Sequence, residues 1–408
     1  MALYNWPLVF VLIGLALYLI LAGSDFGAGF WQLTAGGGEH GEEVREHAHR
    51  ASAPVWEANH VWLIFVLTVM WTAYPVAFGS IAATLAIPLF LAGIGIVLRG
   101  GAYVVSSGTP TPRMQSAVDT IFSVSSILTP FFLGTVIGAL ASERVRVGNP
   151  GGSLFTSWLN PTSIAIGILA VASGAYTAAV FLAGDARRYG DEHLVASFRR
   201  RALGAGVAAG AVAIGALVVL HFDAGRLFNR LTHGPGLPGL VVSLLAGAST
   251  LALLLRGRYE PARYTASLAV AATIAGFALA QSPVLLADLS VEQAAAGHDT
   301  LVLVVVAVLG GAAILFPSLV FLFRLALQGQ LEDAGPDRTP PAGGHAAAGM
   351  HVNRLAFRLA VALLIGGIGC LTIADAAWLH TIGVVCWLGF VASGFVAVSP
   401  GNAGEPVA

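Results

Sequence analysis

The chain contains no lysine: all twenty of its basic residues are arginine. Charged residues of any kind make up only 10% of its 408 positions, and the formal net charge is −1. Without a basic patch interleaved with aromatics, the electrostatic footprint of nucleic-acid binding is missing. Cysteine is scarce as well. Cys370 and Cys386 are the two in the chain, which excludes a disulfide framework and offers no metal-ligand spacing; both read as small apolar side chains. Walker loops, cysteine nucleophiles and serine-triad arrangements are also lacking, which argues against a self-contained hydrolase or a nucleotide-driven pump. Alternating strand patterns are absent, so the chain does not read as the staves of a membrane barrel.

What the sequence does have is oil. It is 57% hydrophobic, with a mean hydropathy of +0.81. Apolar runs of the length that crosses a hydrocarbon core of about 30 Å recur at 6–23, 57–74, 79–103, 117–141, 161–183, 202–221, 238–256, 266–286, 300–325, 355–373 and 381–398. The expectation is an all-α, polytopic transmembrane helical bundle of nine helices over 1–326, followed by a further two-helix hairpin over 354–408. Between them, 327–353 reads as a flexible inner-side linker, marked by Gly335-Pro336, Pro340-Pro341 and Gly343-Gly344. Asp375 to His380 forms the hairpin's outer turn, where Trp378 suits the interfacial aromatic belt.

Arginine placement predicts the orientation. With the N-terminus outside, sixteen arginines fall on the inner side, and Arg144, Arg146, Arg226 and Arg230 remain outside. That bias places the N-terminus outside and the C-terminus inside the membrane. The first helix has no basic stretch before it and reads as a retained anchor. Glycine, with 50 residues, favours close helix packing, and Gly134 and Gly138 form a small-xxx-small face. Pro88, Pro130, Pro283 and Pro317 fall within spans and are expected to bend them.

The most informative dozen residues run from Ala53 through Pro54, Trp56, Glu57, Asn59, His60 and Trp62 to Ile64. Ionisable groups at membrane depth are costly and so mark function by default. The first helix is expected to end within Leu21–Gly29, which includes Asp25, and a later one carries Arg99 near its inner end. Asp25, Glu57 and Arg99 can therefore meet near the inner face, with His60 three residues after Glu57 on the same side of its helix. Burial raises a carboxylate's pKa while a neighbouring guanidinium lowers it, a competition that can poise a proton relay. An Asp25–Arg99 ion pair that merely locks helices is the competing reading, and both stay open. His60 reads as a haem ligand, a proton carrier or a member of a polar network with Glu57.

Residues 39–49 mix acids and imidazoles that could hold a divalent metal, but the pattern reads as a solvated inner loop with no metal. His221, Asp223, His233, Asp288, His298 and Asp299 read as surface groups. Arg187-Arg188 and Arg199-Arg200-Arg201 read as anchors for lipid headgroups.

Three sequence features together closely resemble subunit II of the cytochrome bd-type quinol oxidases: Gly23-Ser24-Asp25-Phe26-Gly27-Ala28-Gly29, Pro54-Val55-Trp56-Glu57-Ala58-Asn59-His60-Val61-Trp62-Leu63, and Arg99. The stretch from Ala186 to Asp191 and that from Phe198 to Ala205 are similar to the same family. The resemblance covers 1–326. It implies a membrane partner of a haem-bearing subunit I, in a complex that oxidises quinol and reduces dioxygen to water. Haem b and haem d would lie on subunit I, no catalytic residue on this chain, and a bound quinone here is left open. Asp25, Trp56, Glu57, Asn59, His60 and Arg99 would form the polar cluster of a cytoplasmic-side proton pathway. Ala22 stands where many relatives carry a further acid, and His60 where Gln or Glu is common. The alternative reading is a proton-coupled secondary transporter built on Asp25, Glu57 and Arg99.

Overall fold

The computed structural model describes residues 2–52, 56–106, 111–148 and 153–327, and scattered positions between 355 and 393; side chains at 51, 52, 56–58, 112, 316 and 319–327 lie outside that description. The chain divides into two compact units, residues 1–321 and 322–408. The linker 327–353 falls outside the described residues. Of the C-terminal hairpin only isolated positions are described, and those are helical, with Gly389 against Leu363.

The first unit is a helical bundle. After a 3-10 turn come α1 (Trp6–Leu33), α2 (Gly38–Ser52), α3 (Trp56–Ala73), α4 (Pro75–Thr84), α5 (Ala86–Ser106), α6 (Pro112–Ala141), α7 (Pro161–Tyr189) and α8 (Glu192–Asp223). Then follow α9 (Gly225–Thr232), α10 (Leu237–Leu255), α11 (Tyr259–Gln281), a short hairpin β1 (Val284–Leu286) and β2 (Leu289–Ser290), α12 (Val291–Ala294) and α13 (His298–Leu327). Eight described helices are long and apolar enough to span, or nine when α3 and α4 count as one broken span.

Local chemistry explains the boundaries. Asn160 caps α7 by accepting from the Ser163 amide at 2.9 Å, with Pro161 in the first turn, where a missing N–H is harmless. Gly190 ends α7 at φ 76°, a left-handed conformation that only glycine adopts freely, and Asp191 immediately caps α8 through the Leu194 amide. Asn160 also donates to Ser157 O and Ser163 Oγ. Asn160→Ala is therefore expected to remove about 1–2 kcal/mol, read as a lower melting temperature of the detergent-purified protein with unchanged helicity.

Several expectations are corrected. The apolar run at 79–103 is cut at Leu85, which leaves the helical region (φ −107°, ψ 27°) between α4 and α5. Ahead of it Tyr74 is also non-helical before Pro75, and α4 departs from α3 at 120°, because proline disfavours a helical residue before it. Tyr74, fully buried, donates from its hydroxyl to Tyr4 O at 2.6 Å and pins this bend. The span at 266–286 ends at Gln281, since Pro283 has no N–H to continue it, and the β1–β2 hairpin follows. Residues 39–49 form α2, not a loop. Val44 and Ala48 are fully buried there, and His47 reaches Leu182 O at 3.1 Å. The arginines 199–201, read as headgroup anchors, lie on α8.

Two apolar cores mark the two ends of the bundle. One gathers Val44, Ala186, Leu194, Phe198, Leu254 and Ala262, on or beside the helices that carry Arg45, Arg187, Arg188, Arg199 and Arg263. The other gathers Tyr74, Leu85, Val145, Trp158, Leu286 and Val291. At this second end Asp223, expected as a plain surface group, accepts from Arg144 at 2.6 Å and from Thr162 Oγ1 at 2.7 Å.

Candidate functional site

Contrary to expectation, α1 does not end within Leu21–Gly29; it continues to Leu33. Each glycine in a helix interior costs about 1 kcal/mol in propensity, yet here the glycines are contact points. A Cβ on Gly29 would strike Ser126 of α6, and one on Gly27 would strike the Gly174 carbonyl of α7. On α5, Gly95 meets Thr129 of α6 just as closely. Backbones packed this tightly bring α1, α5 and α6 together around Asp25, now in mid-helix. Eight residues separate Asp25 from Leu33, about 12 Å at 1.5 Å per residue. The cluster thus lies some two turns inside the helix end, deeper than the face where it was expected.

Arg99 fills that space. Its side chain and that of Asp25 are 2% and 1% exposed. Nη1 donates to Asp25 Oδ2 at 2.6 Å and Nη2 to Oδ1 at 2.7 Å, a bidentate pair. Nη2 also reaches the Asp25 carbonyl at 3.2 Å, and Nε donates to Ser126 Oγ at 2.8 Å. Rings cover the guanidinium: Phe122 at 4.5 Å and Phe26 at 5.0 Å from its carbon. This satisfies the charge without solvent, through charge-assisted hydrogen bonds and ring quadrupoles.

On the α3 side, Asn59 is buried and donates to Leu21 O at 3.3 Å. His60 is half-buried, with its ring 6.2 Å from that of Tyr18 and 6.1 Å from that of Phe26. Tyr18 Oη and His60 Nδ1 are buried without a hydrogen-bond partner among the described residues. These polar atoms sit one ring away from the ion pair. Among the described residues nothing frames a haem at His60: Tyr18 and Phe26, at 3% and 2% exposure, pack against its ring. No haem step is therefore assigned to this chain.

The structure thus joins Asp25 with Arg99 and sets Asn59 and His60 beside them. Trp56 and Glu57 open α3 as its first two residues, but their side chains lie outside the described residues. Sequence reasoning missed Ser126, Tyr18, Phe26 and Phe122. A mid-span serine one turn before Pro130 was the only available signal for Ser126, and the aromatics look like any other lipid-facing ring.

Fold and site together define a polytopic helical membrane protein with an ionised pair sealed among its spans. The family model for cytochrome bd terminal oxidase subunit II matches residues 3–326, and the chain belongs to that family. It is 24% identical over 232 residues to a candidate cytochrome bd menaquinol oxidase subunit II of Bacillus subtilis (strain 168), covering 56% of this chain and 64% of the relative. It is 25% identical over 123 residues to cytochrome bd ubiquinol oxidase subunit 2 of the same organism, covering 30% and 36%. The chain thus spans less than two thirds of the length of either relative. A bd oxidase from Geobacillus thermodenitrificans shares the fold with a TM-score of 0.67 and 23% identity, over 80% of this chain and 99% of that one.

Proposed function

We propose that the chain is the membrane subunit II of a cytochrome bd-type terminal quinol oxidase. It would pair with a haem-bearing subunit I that holds haem b and haem d, oxidises quinol and reduces dioxygen to water. On this reading the arginine-rich end faces the bacterial cytoplasm, and the cluster of Asp25, Glu57, Asn59, His60 and Arg99, with Trp56, is a proton route from that side. The observation that carries it is the sealed Asp25–Arg99 pair within the family-matching residues. Both oxygens of Asp25 are taken up by Arg99, so on this reading Glu57, the other acid of the cluster, carries the proton. The neighbouring Tyr18 hydroxyl and His60 nitrogen are spare polar atoms along the way.

A transporter would place its broken helix at the binding site near mid-membrane. Here the α3–α4 break at Tyr74 belongs to the core at the opposite end of the bundle from α2, which favours the oxidase reading. The test is Glu57→Gln in the purified assembly. Haem content is expected to stay normal while oxygen consumption falls about 10²-fold, the scale of losing a positioned proton-transfer group. Full turnover in that variant would remove Glu57 as a required relay. A purified assembly with no haem absorption would overturn the oxidase reading itself.

A further inference from the structure

The α1–α2 turn and the start of α8 bring together three groups that are far apart in sequence. His40 and Glu43 lie three residues apart on one face of α2, and His193 lies in the first turn of α8. Nδ1 of His40 and Nδ1 of His193 each stand 3.4 Å from the same oxygen, Oε2 of Glu43. The three atoms all lie within 4.8 Å of one another, and the two imidazole rings meet edge to face with centroids 4.8 Å apart.

We propose that His40, Glu43 and His193 form a binding site for a divalent transition metal of the zinc class, clamping α2 to α8. The two nitrogen–oxygen separations suit it, and the two ring nitrogens, within 4.8 Å of each other, would draw together on binding. Zinc–nitrogen and zinc–oxygen bonds of about 2.0–2.2 Å in a tetrahedron set ligand atoms about 3.4 Å apart. Two imidazoles and one carboxylate select zinc-like ions over magnesium or calcium, which prefer all-oxygen shells. Three protein ligands leave a fourth position for water, and the partial exposure of all three side chains gives the ion a way in.

The site is also held from behind. His40 Nε2 lies 3.1 Å from Ser197 Oγ, one turn along α8 from His193. That same Oγ accepts from Arg201. With Nε2 donating to Ser197, the lone pair of Nδ1 points at Glu43, the arrangement in which a metal-bound histidine is oriented through its other nitrogen. Arg201 in turn is fixed over the Trp31 and Phe198 rings at 5.7 and 5.6 Å. On the other side Arg45 ties α2 to the Gly36 carbonyl at 2.7 Å. Both ligand-bearing helices are therefore positioned before any ion arrives, which cuts the ordering needed to bind one.

The experiment is a Zn²⁺ titration of the purified full-length assembly after chelator treatment, read by metal content per chain and by competition with a chromophoric chelator. Wild type is expected to hold one equivalent more than the His40→Ala/His193→Ala double variant. Glu43→Gln should weaken that equivalent at least tenfold, and Ser197→Ala about 10–100-fold. All four side chains lie at the bundle end, so equal haem absorption and elution volume confirm that the variants are assembled. Equal zinc content in wild type and double variant overturns the site, as does a Glu43→Gln variant that binds like wild type.

Discussion

Arg99→Leu is expected to lose most of the folded, assembled protein. The substitution leaves the Asp25 carboxylate, 1% exposed, with neither of the two donors that now hold it and with the covering rings still in place. Breaking a buried pair from one side typically removes about 3–5 kcal/mol, against a total stability of about 5–15 kcal/mol for an ordinary domain. Arg99→Lys should fall between the two, since an ammonium restores the charge but cannot make the fork to both carboxylate oxygens and the bond to Ser126 together. The informative variant is the double Asp25→Leu/Arg99→Leu. Replacing both partners by apolar groups of similar volume is often neutral, so folded yield and haem content should return toward wild type. Oxygen consumption then separates the two readings of the pair: a helix lock predicts recovery with the yield, and a group that sets the field along a proton route predicts that turnover stays low. A thermal melt of Arg99→Leu indistinguishable from wild type would show that the carboxylate is not held as the geometry implies.

The Asp25–Arg99 pairing was legible because only a few ionisable residues fall inside apolar runs, and helix direction leaves them few choices of partner. The spans were legible for the same reason: in lipid a backbone must satisfy itself, so long apolar runs have one solution. What escaped was set by tertiary contact. Gly23 to Gly29 reads as a helix end by propensity, yet Gly174 and Ser126 approach those glycines so closely that the helix persists. Residues 39–49 read as solvated because eight of the eleven are charged or imidazole-bearing. Val44 and Ala48 nonetheless carry enough of a stripe to seat α2 on α7, with His47 bonded beneath. His193, 150 residues after Glu43, had no sequence signal connecting it to that helix. The break at Tyr74 coincides with the end of the run at 57–74, one residue before Pro75, whereas the break at Leu85 falls inside the run at 79–103, where neither adjacent residue is glycine or proline.

Glycine substitutions should separate contact from propensity most sharply. An ideal Cβ on Gly27 would lie 2.5 Å from the Gly174 carbonyl carbon and 2.6 Å from Ala178 Cβ, closer still to the Gly174 oxygen. Two of those three atoms are backbone of α7 and cannot rotate away. Gly27→Ala must therefore push α1 off α7, or shift the register that sets Asp25 opposite Arg99. Overpacking of this kind costs about 1–3 kcal/mol and sometimes more, and a wall of backbone puts it at the upper end. Gly27→Leu should give little assembled protein. Gly210 on α8 is the matched control: it is exposed, and nothing lies within 4 Å of its added Cβ. There the same change gains helix propensity, up to about 1 kcal/mol, so Gly210→Ala should melt at or slightly above wild type. The two alanines thus have opposite expected signs. If Gly27→Ala melts with Gly210→Ala, α1 and α7 do not approach as closely as their backbones indicate, and the depth assigned to Asp25 falls with them.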